Sequence, residues 1–265
     1  MRQLIDIDDL TPTEIAAIWQ RAASPQAVRP GGVAAFSFEG KGVRTRTTFL
    51  QVFAALGIQA IELPGMLDSR ERAADLAGYL DPFYSLYVIR ASDHARLAEF
   101  AGASNRPVIN AMSSLAHPCE VLSDAFYLSK RLGDLHTAKI LLWGPLTNVF
   151  RSWYALGRVL GLDLYHYCPG EYRLAGAPVA YLDAPTLAVD VVLTDGWPAG
   201  FADEAYSLTL AQLSALGDPV LLPTPPFSIG RELAFDPLEI THFAGYAQKR
   251  VLLDVQKAVL ALALE

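Results

Sequence analysis

Cysteine is nearly absent from this chain of 265 residues: Cys119 and Cys168 are the only two, and they stand far apart. That scarcity excludes a disulfide scaffold and any cysteine-based zinc cluster, and it fits a reducing compartment. Positive charge is also in deficit. Lys and Arg number 21 against 28 Asp and Glu, a formal charge of −7, so no nucleic-acid partner is expected. The deficit still permits a local basic pocket for a small anion. No run approaches the ~18 consecutive apolar residues of a membrane span. The opening MRQLIDIDDLTPTEI is acidic where a secretory signal would be apolar. A cytoplasmic protein without a membrane segment is the expectation. Internal repeats, low-complexity tracts, GxGxxG and GxxxxGK[ST] are all missing, so a dinucleotide or nucleoside triphosphate is not the first choice of ligand. No set of metal ligands stands out, and no cofactor or metal is expected.

What the chain does have is apolar residues, 52% of the total, enough to bury a core for one large or two modest domains. Short β-rich runs alternate with helical ones. Strands are expected at 32–39, 60–63, 86–90 and 107–111, with helices at 46–57, 71–80, 94–101 and 117–132. The helix from Arg46 places Phe49, Val52, Phe53 and Leu56 on one face, and Gly57 follows where a C-cap belongs. The pattern then restarts. Strands are expected at 139–143, 164–167, 189–193 and 220–222, helices at 148–160 and around 202–216, and a final amphipathic helix over the last twenty or so residues. Strands alternating with helices imply an α/β fold with parallel sheets. The turn residues at 133–138 mark a boundary, giving two doubly wound lobes: residues 1–134, and residues 135–265 with the C-terminal helix. A cleft between the lobes is expected to hold the ligand.

Ligands of doubly wound sheets gather beyond the C-terminal ends of the strands. The polar residues at those positions are Lys41, Arg44, Thr45 and Arg46 in GKGVRTRT (40–47), Arg90, and then His117 and Glu120 in SSLAHPCE (113–120). In the second half the equivalents are GPLTN (144–148), TDGW (194–197) and LPTPPF (222–227). A glycine-bearing turn that opens a helix, with arginines in the first turn, suits an anion. Free N–H groups and the helix dipole favour negative charge, and guanidinium grips oxygen pairs. A solvated basic turn is the plain alternative. His94, His136, His166 and His242 read as surface or structural histidines. Cys119 reads as buried and inert, and Trp19, Trp143, Trp153 and Trp197 read as packing.

Several segments, in this order, are similar to one known family. FEGKGVRTRTTFLQVFAALG (38–57) resembles the phosphate-loop segment of aspartate and ornithine carbamoyltransferases, F-x-x-x-S-T-R-T-R-x-S-F-E and a helix ending in L-G. YVIR (87–90) resembles the family strand that ends in Arg, and HPCEVLSD (117–124) resembles H-P-x-Q-x-L-x-D. GPLTNVFRS (144–152) resembles G-D-x-x-N-x-x-x-S, and VVLTDGW (191–197) resembles the ornithine-type V-x-T-D-x-W. LLPTPP (221–226) stands where the family carries a motif ending in Leu-Pro.

The resemblance implies transfer of a carbamoyl group from carbamoyl phosphate to an amine of an amino-acid-like acceptor, with no metal. Arg44, Thr45 and the backbone of Gly42, Val43 and Arg46 would hold the phosphate. Arg90 would bridge phosphate and carbamoyl oxygen, His117 would bond that oxygen, and Glu120 stands where a Gln meets the carbamoyl amide. Asn148 and Asp195 would orient the acceptor, beside Leu222 and Pro223. The family also implies a homotrimer, with a neighbouring subunit's loop reaching the phosphate. Departures cluster around these positions. Gly42 and Val43 replace Ser and Thr, Leu50 and Glu120 replace Glu and Gln, Pro145 replaces Asp, and Val220 and Leu221 replace His and Cys. Arg70 or Arg72 would substitute for a missing Lys in 65–76. An acceptor other than plain ornithine or aspartate is therefore expected. A non-catalytic paralogue that binds ligand or a partner stays open; a nucleotide-binding oxidoreductase is disfavoured by the missing glycine fingerprint.

Overall fold

Strands buried on both faces read as continuous apolar runs, and such runs pair in parallel because helices cover both sides. That is the arrangement found. The computed structural model describes residues 3–24 and 30–265. The chain divides into two compact units, Met1–Phe126 with Arg250–Glu265, and Tyr127–Lys249.

The first unit contains β1 (Gln3–Leu4), α1 (Pro12–Ala23), β2 (Val33–Phe38), α2 (Val43–Ala55), β3 (Gln59–Glu62), α3 (Ala73–Leu80), β4 (Leu86–Ala91), α4 (His94–Ala103) and β5 (Val108–Ser113), with α5 (Pro118–Leu132) beginning in it. Its sheet has the order β1-β5-β4-β2-β3, every pair parallel. The second unit holds β6 (Ile140–Trp143), α6 (Asn148–Leu160), β7 (Leu164–Tyr167), β8 (Ala180–Tyr181), β9 (Val191–Thr194), α7 (Leu210–Ala215) and β10 (Val220–Pro223). Its sheet runs β10-β9-β6-β7-β8, again parallel throughout. The last helix, α8 (Gly245–Leu264), starts in the second unit and finishes in the first. The sequence reading placed the division at 134/135 and all of α8 in the second half. The packing instead assigns residues 250–265 to the first unit, where Arg21 pairs with Glu265 at 2.8 Å.

Each unit has its own core. Tyr87, Ile89, Leu97, Phe100 and Val108 pack in the first, and Leu141, Trp143, Val192, Leu208, Leu213 and Leu221 in the second. Local signals account for several boundaries. Thr147 caps α6 by accepting from Phe150 N at 3.3 Å, and Gly161 ends it with a left-handed φ of 69° that a side chain would disfavour. One expected helix is corrected. Residues 202–216 do not form one helix, because Leu208 N donates to Glu232 O and Ala234 N to Leu208 O. That bridge forces an extended segment, and α7 starts afresh behind a Thr209–Gln212 capping box. Among the described residues no helix is long and apolar enough to cross a membrane.

Candidate functional site

β2 ends at Phe38, and Phe38 pairs with Arg90 near the end of the adjacent β4. The turn after β2 is therefore laid beside Arg90. Gly42 then opens α2 with φ 42° and ψ 33°, and no side chain caps the helix. Its first intrahelical bond is Arg46 N to Gly42 O at 2.9 Å. The amides of Val43, Arg44 and Thr45 thus form the open first turn, the part of a helix that attracts anions.

Gly42 is required there on two counts. Its φ is left-handed, and a Cβ would lie 3.2 Å from Phe38 Cδ1 and 3.3 Å from Arg90 Cδ. A Gly42→Ala variant is expected to lose about 1 kcal/mol of stability. It should also weaken anion binding by displacing Arg90; chemical denaturation and anion titration check the two effects.

Arg90 is partly buried and Arg44 exposed. Burial first, and then the Arg44 charge, pull the Arg90 guanidinium below its usual range, with Glu39 opposing them. Among the described residues neither arginine is in an ion pair. Two cations held near each other, with only the Glu39 carboxylate acting on Arg90 and no ion pair to it, favour a bound anion. Arg46 behaves differently. Its guanidinium pairs with Glu62 and lies 5.8 Å from the Phe36 ring centroid, and its amide is committed to Gly42. Arg46 is thus engaged by Glu62 and Gly42, whereas Arg44 and Arg90 are in no ion pair among the described residues.

His117 immediately precedes α5, is nearly buried, and accepts Val121 N at 3.3 Å through its carbonyl. Glu120 is one helical turn on and equally enclosed. The turn that delivers His117 is braced by its own segment, by Asn110 and by His94, expected as a surface or structural histidine. Ser113 N donates to Ala116 O at 2.8 Å, Asn110 Nδ2 donates to Ser113 Oγ at 3.1 Å, and His94 Nδ1 meets the same Oγ at 2.7 Å. Cys119 is fully buried, and burial followed by the Glu120 charge pushes its thiol up to about 12, so it is inert as a nucleophile.

In the second unit the selected residues again follow strand ends. Asn148 is the first residue of α6, and Asp195 follows β9; both are partly exposed. Leu222 is buried within β10 and Pro223 ends it, with Thr224 N bonded to Thr194 O at 2.8 Å. Trp143 and Trp153 are core residues, whereas Trp197 is partly exposed beneath Arg231, whose guanidinium carbon is 5.7 Å from the ring centroid. Glu232 went unnoticed in the sequence. It is buried and ties two loops together, accepting Trp197 N at 2.8 Å and Ser228 N at 2.7 Å. Among the described residues no group of three His, Cys, Asp or Glu side chains could hold a metal ion.

His166 is fully enclosed, and burial pushes its pKa down to about 4 against an ordinary 6.5. As pH falls below about 6.5 the unfolded chain takes up a proton that the folded chain refuses. Stability should therefore fall between pH 6.5 and 4, by up to about 3 kcal/mol from this residue. Urea titrations across that window, compared with His166→Gln, test the slope.

The carbamoyl-phosphate-binding domain model of aspartate/ornithine carbamoyltransferases matches residues 2–130. The ornithine carbamoyltransferase of Methanoculleus marisnigri is 32% identical, over 84% of this chain and 81% of that protein. The chain belongs to the aspartate/ornithine carbamoyltransferase family. The ornithine carbamoyltransferase of Pyrococcus abyssi is 27% identical over 99% of this chain and 96% of its own length. Among solved structures, ornithine carbamoyltransferase from Thermus thermophilus superposes with a TM-score of 0.90 at 25% identity, covering 99% of each chain. The matched domain of this carbamoyltransferase carries Gly42, Arg44, Arg90, His117 and Glu120.

Proposed function

We propose that the protein transfers the carbamoyl group of carbamoyl phosphate to an amine of an amino-acid-like acceptor and releases phosphate. The observation that carries this reading is the Arg44–Arg90 pair. Two cations, neither in an ion pair among the described residues, stand beside the open first turn of α2, within the segment matched by the carbamoyl-phosphate-binding model. In this reading Arg44, Thr45 and the amides of Val43 to Thr45 hold the phosphate. Arg90 spans phosphate and carbamoyl oxygen, and His117 donates to that oxygen. Glu120 accepts from the carbamoyl NH₂ group. Asn148 and Asp195 orient the acceptor, with Leu222 and Pro223 beside it.

The neutral amine attacks the carbamoyl carbon, and its C–N bond forms as negative charge gathers on the carbonyl oxygen. Donors aimed at that oxygen lower the barrier, and holding both reactants in line supplies much of the rest. The C–O bond to phosphate then breaks, and the amine sheds its proton. The relatives above are named ornithine carbamoyltransferases, yet Pro145, Val220 and Leu221 depart from the family pattern on the acceptor side. The acceptor is accordingly taken to be an amine other than plain ornithine or aspartate. A homotrimer and a cytoplasmic setting complete the reading, both by analogy with the family. The test is incubation with carbamoyl phosphate and a panel of amines, ornithine included. Phosphate release that depends on one amine supports transfer. Binding of a phosphonate analogue without release from any amine would leave a ligand-binding paralogue instead.

A further inference from the structure

The loop that carries Asn148 starts at Gly144, directly after β6, and both polar groups of Gly144 are engaged. Its N–H donates to Tyr167 O at 3.0 Å, and its carbonyl oxygen lies 2.8 Å from His166 Nε2. A carbonyl only accepts, so Nε2 carries the proton. With the imidazole neutral, as its burial demands, Nδ1 must then be an acceptor. It faces Tyr154 Oη at 2.5 Å, so the Tyr154 hydroxyl donates to it. Tyr181 Oη is 3.3 Å from Tyr154 Oη and in turn accepts Leu174 N at 2.7 Å. Tyr181 Oη has one proton for two acceptors, Tyr154 Oη and Leu174 O at 3.4 Å, so the directed part of the chain is Tyr154 to His166 and His166 to Gly144. Those two bonds are aligned in one sense and polarise one another.

The geometry points to His166 as a positioning residue for the acceptor-side loop: by donating to Gly144 O it sets where the 144–148 segment begins and hence where Asn148 is presented. The Gly144 conformation suits this role. Its φ is 111°, and a Cβ there would sit 3.4 Å from Trp197 Nε1, so the backbone passes close to the indole that follows Asp195. His166 is itself held rigidly, edge-on to the Phe150 ring at 5.3 Å between centroids. The consequence for catalysis rests on the acceptor role proposed for Asn148; the consequence for the loop does not.

Two substitutions separate the hydrogen bond from mere bulk. His166→Phe keeps a flat ring against Phe150 and removes both bonds. His166→Gln retains an N–H donor of comparable reach. Hydrogen exchange of the 144–148 amides reads the loop directly, whatever the activity. His166→Phe is expected to speed exchange there and raise the acceptor KM about 10- to 100-fold, while leaving carbamoyl phosphate affinity within about twofold. His166→Gln should restore most of both. If His166→Phe fails to fold, Tyr154→Phe, which removes the donor to Nδ1, should show the same changes at smaller size. Native exchange and an unaltered acceptor KM in a folded His166→Phe or Tyr154→Phe protein would overturn the inference. Equal losses in the Phe and Gln variants of His166 would overturn it too. If the wild type transfers carbamoyl to no amine, the proposed function fails, and exchange alone then decides the positioning role.

Discussion

Replacing Arg90 with Met lowers kcat/KM for carbamoyl phosphate by about 10³-fold, the upper end of what the loss of one donor to a developing oxyanion costs. Its position makes the effect large. Arg90 is partly buried beside the α2 turn, so its charge acts in a medium of lower dielectric than water. The fold should tolerate the change. The backbone of Arg90 makes the structural contacts, its carbonyl accepting Glu39 N at 2.9 Å, while its guanidinium is in no ion pair among the described residues. Arg90→Lys should recover little, because an ammonium cannot span two oxygens as a planar fork does. Steady-state kinetics with carbamoyl phosphate varied at saturating acceptor measure the loss. A drop of less than about threefold would place Arg90 outside the site.

Asp81→Ala should be the most destabilising single change in the first unit, at about 3–4 kcal/mol. Asp81 is buried, and its carboxylate accepts three neutral donors: Tyr87 Oη at 2.9 Å, Ser104 Oγ at 2.7 Å and Asn105 N at 2.7 Å. Removing it takes the acceptor from two buried hydroxyls, Tyr87 and Ser104, and from the Asn105 amide at the edge of the unit. Tyr87 reports the enclosure, since burial first, and then its bond to Asp81, raise its phenol well above the ordinary range. The thermal midpoint should fall by about 10 °C. Asp81→Asn, which keeps the shape and one acceptor, should lose about half as much. Parallel melts of the two variants test whether hydrogen bonding or volume dominates.

Both effects depend on long-range partners, which bears on what could be read from residues alone. α6 was legible to the residue, because Thr147 and Gly161 mark its ends and its apolar face keeps a 3.6-residue period. α2 was read as starting at Arg46, but it starts at Val43, since a left-handed glycine can open a helix without a side-chain cap. Residues 202–216 carry helical spacing, yet pairing with Glu232 and Ala234 overrides it. The edge strands β1 and β8, two residues each, leave no periodicity to find. The same divide separates the site residues. Arg44, His117 and Asn148 follow strand ends and Arg90 lies at the end of one, so these candidates could be nominated from sequence. Glu232, Asn110 and the His166–Tyr154 pair could not, since each takes its role from a partner 12 to 105 residues away.

Calorimetric titration of carbamoyl phosphate into the wild-type protein and into Arg44→Glu, without acceptor, bears most directly on the donor site. Saturable binding to the wild type that charge reversal abolishes, with the variant's melting behaviour intact, is the predicted result. Equal affinity in the two proteins would contradict it.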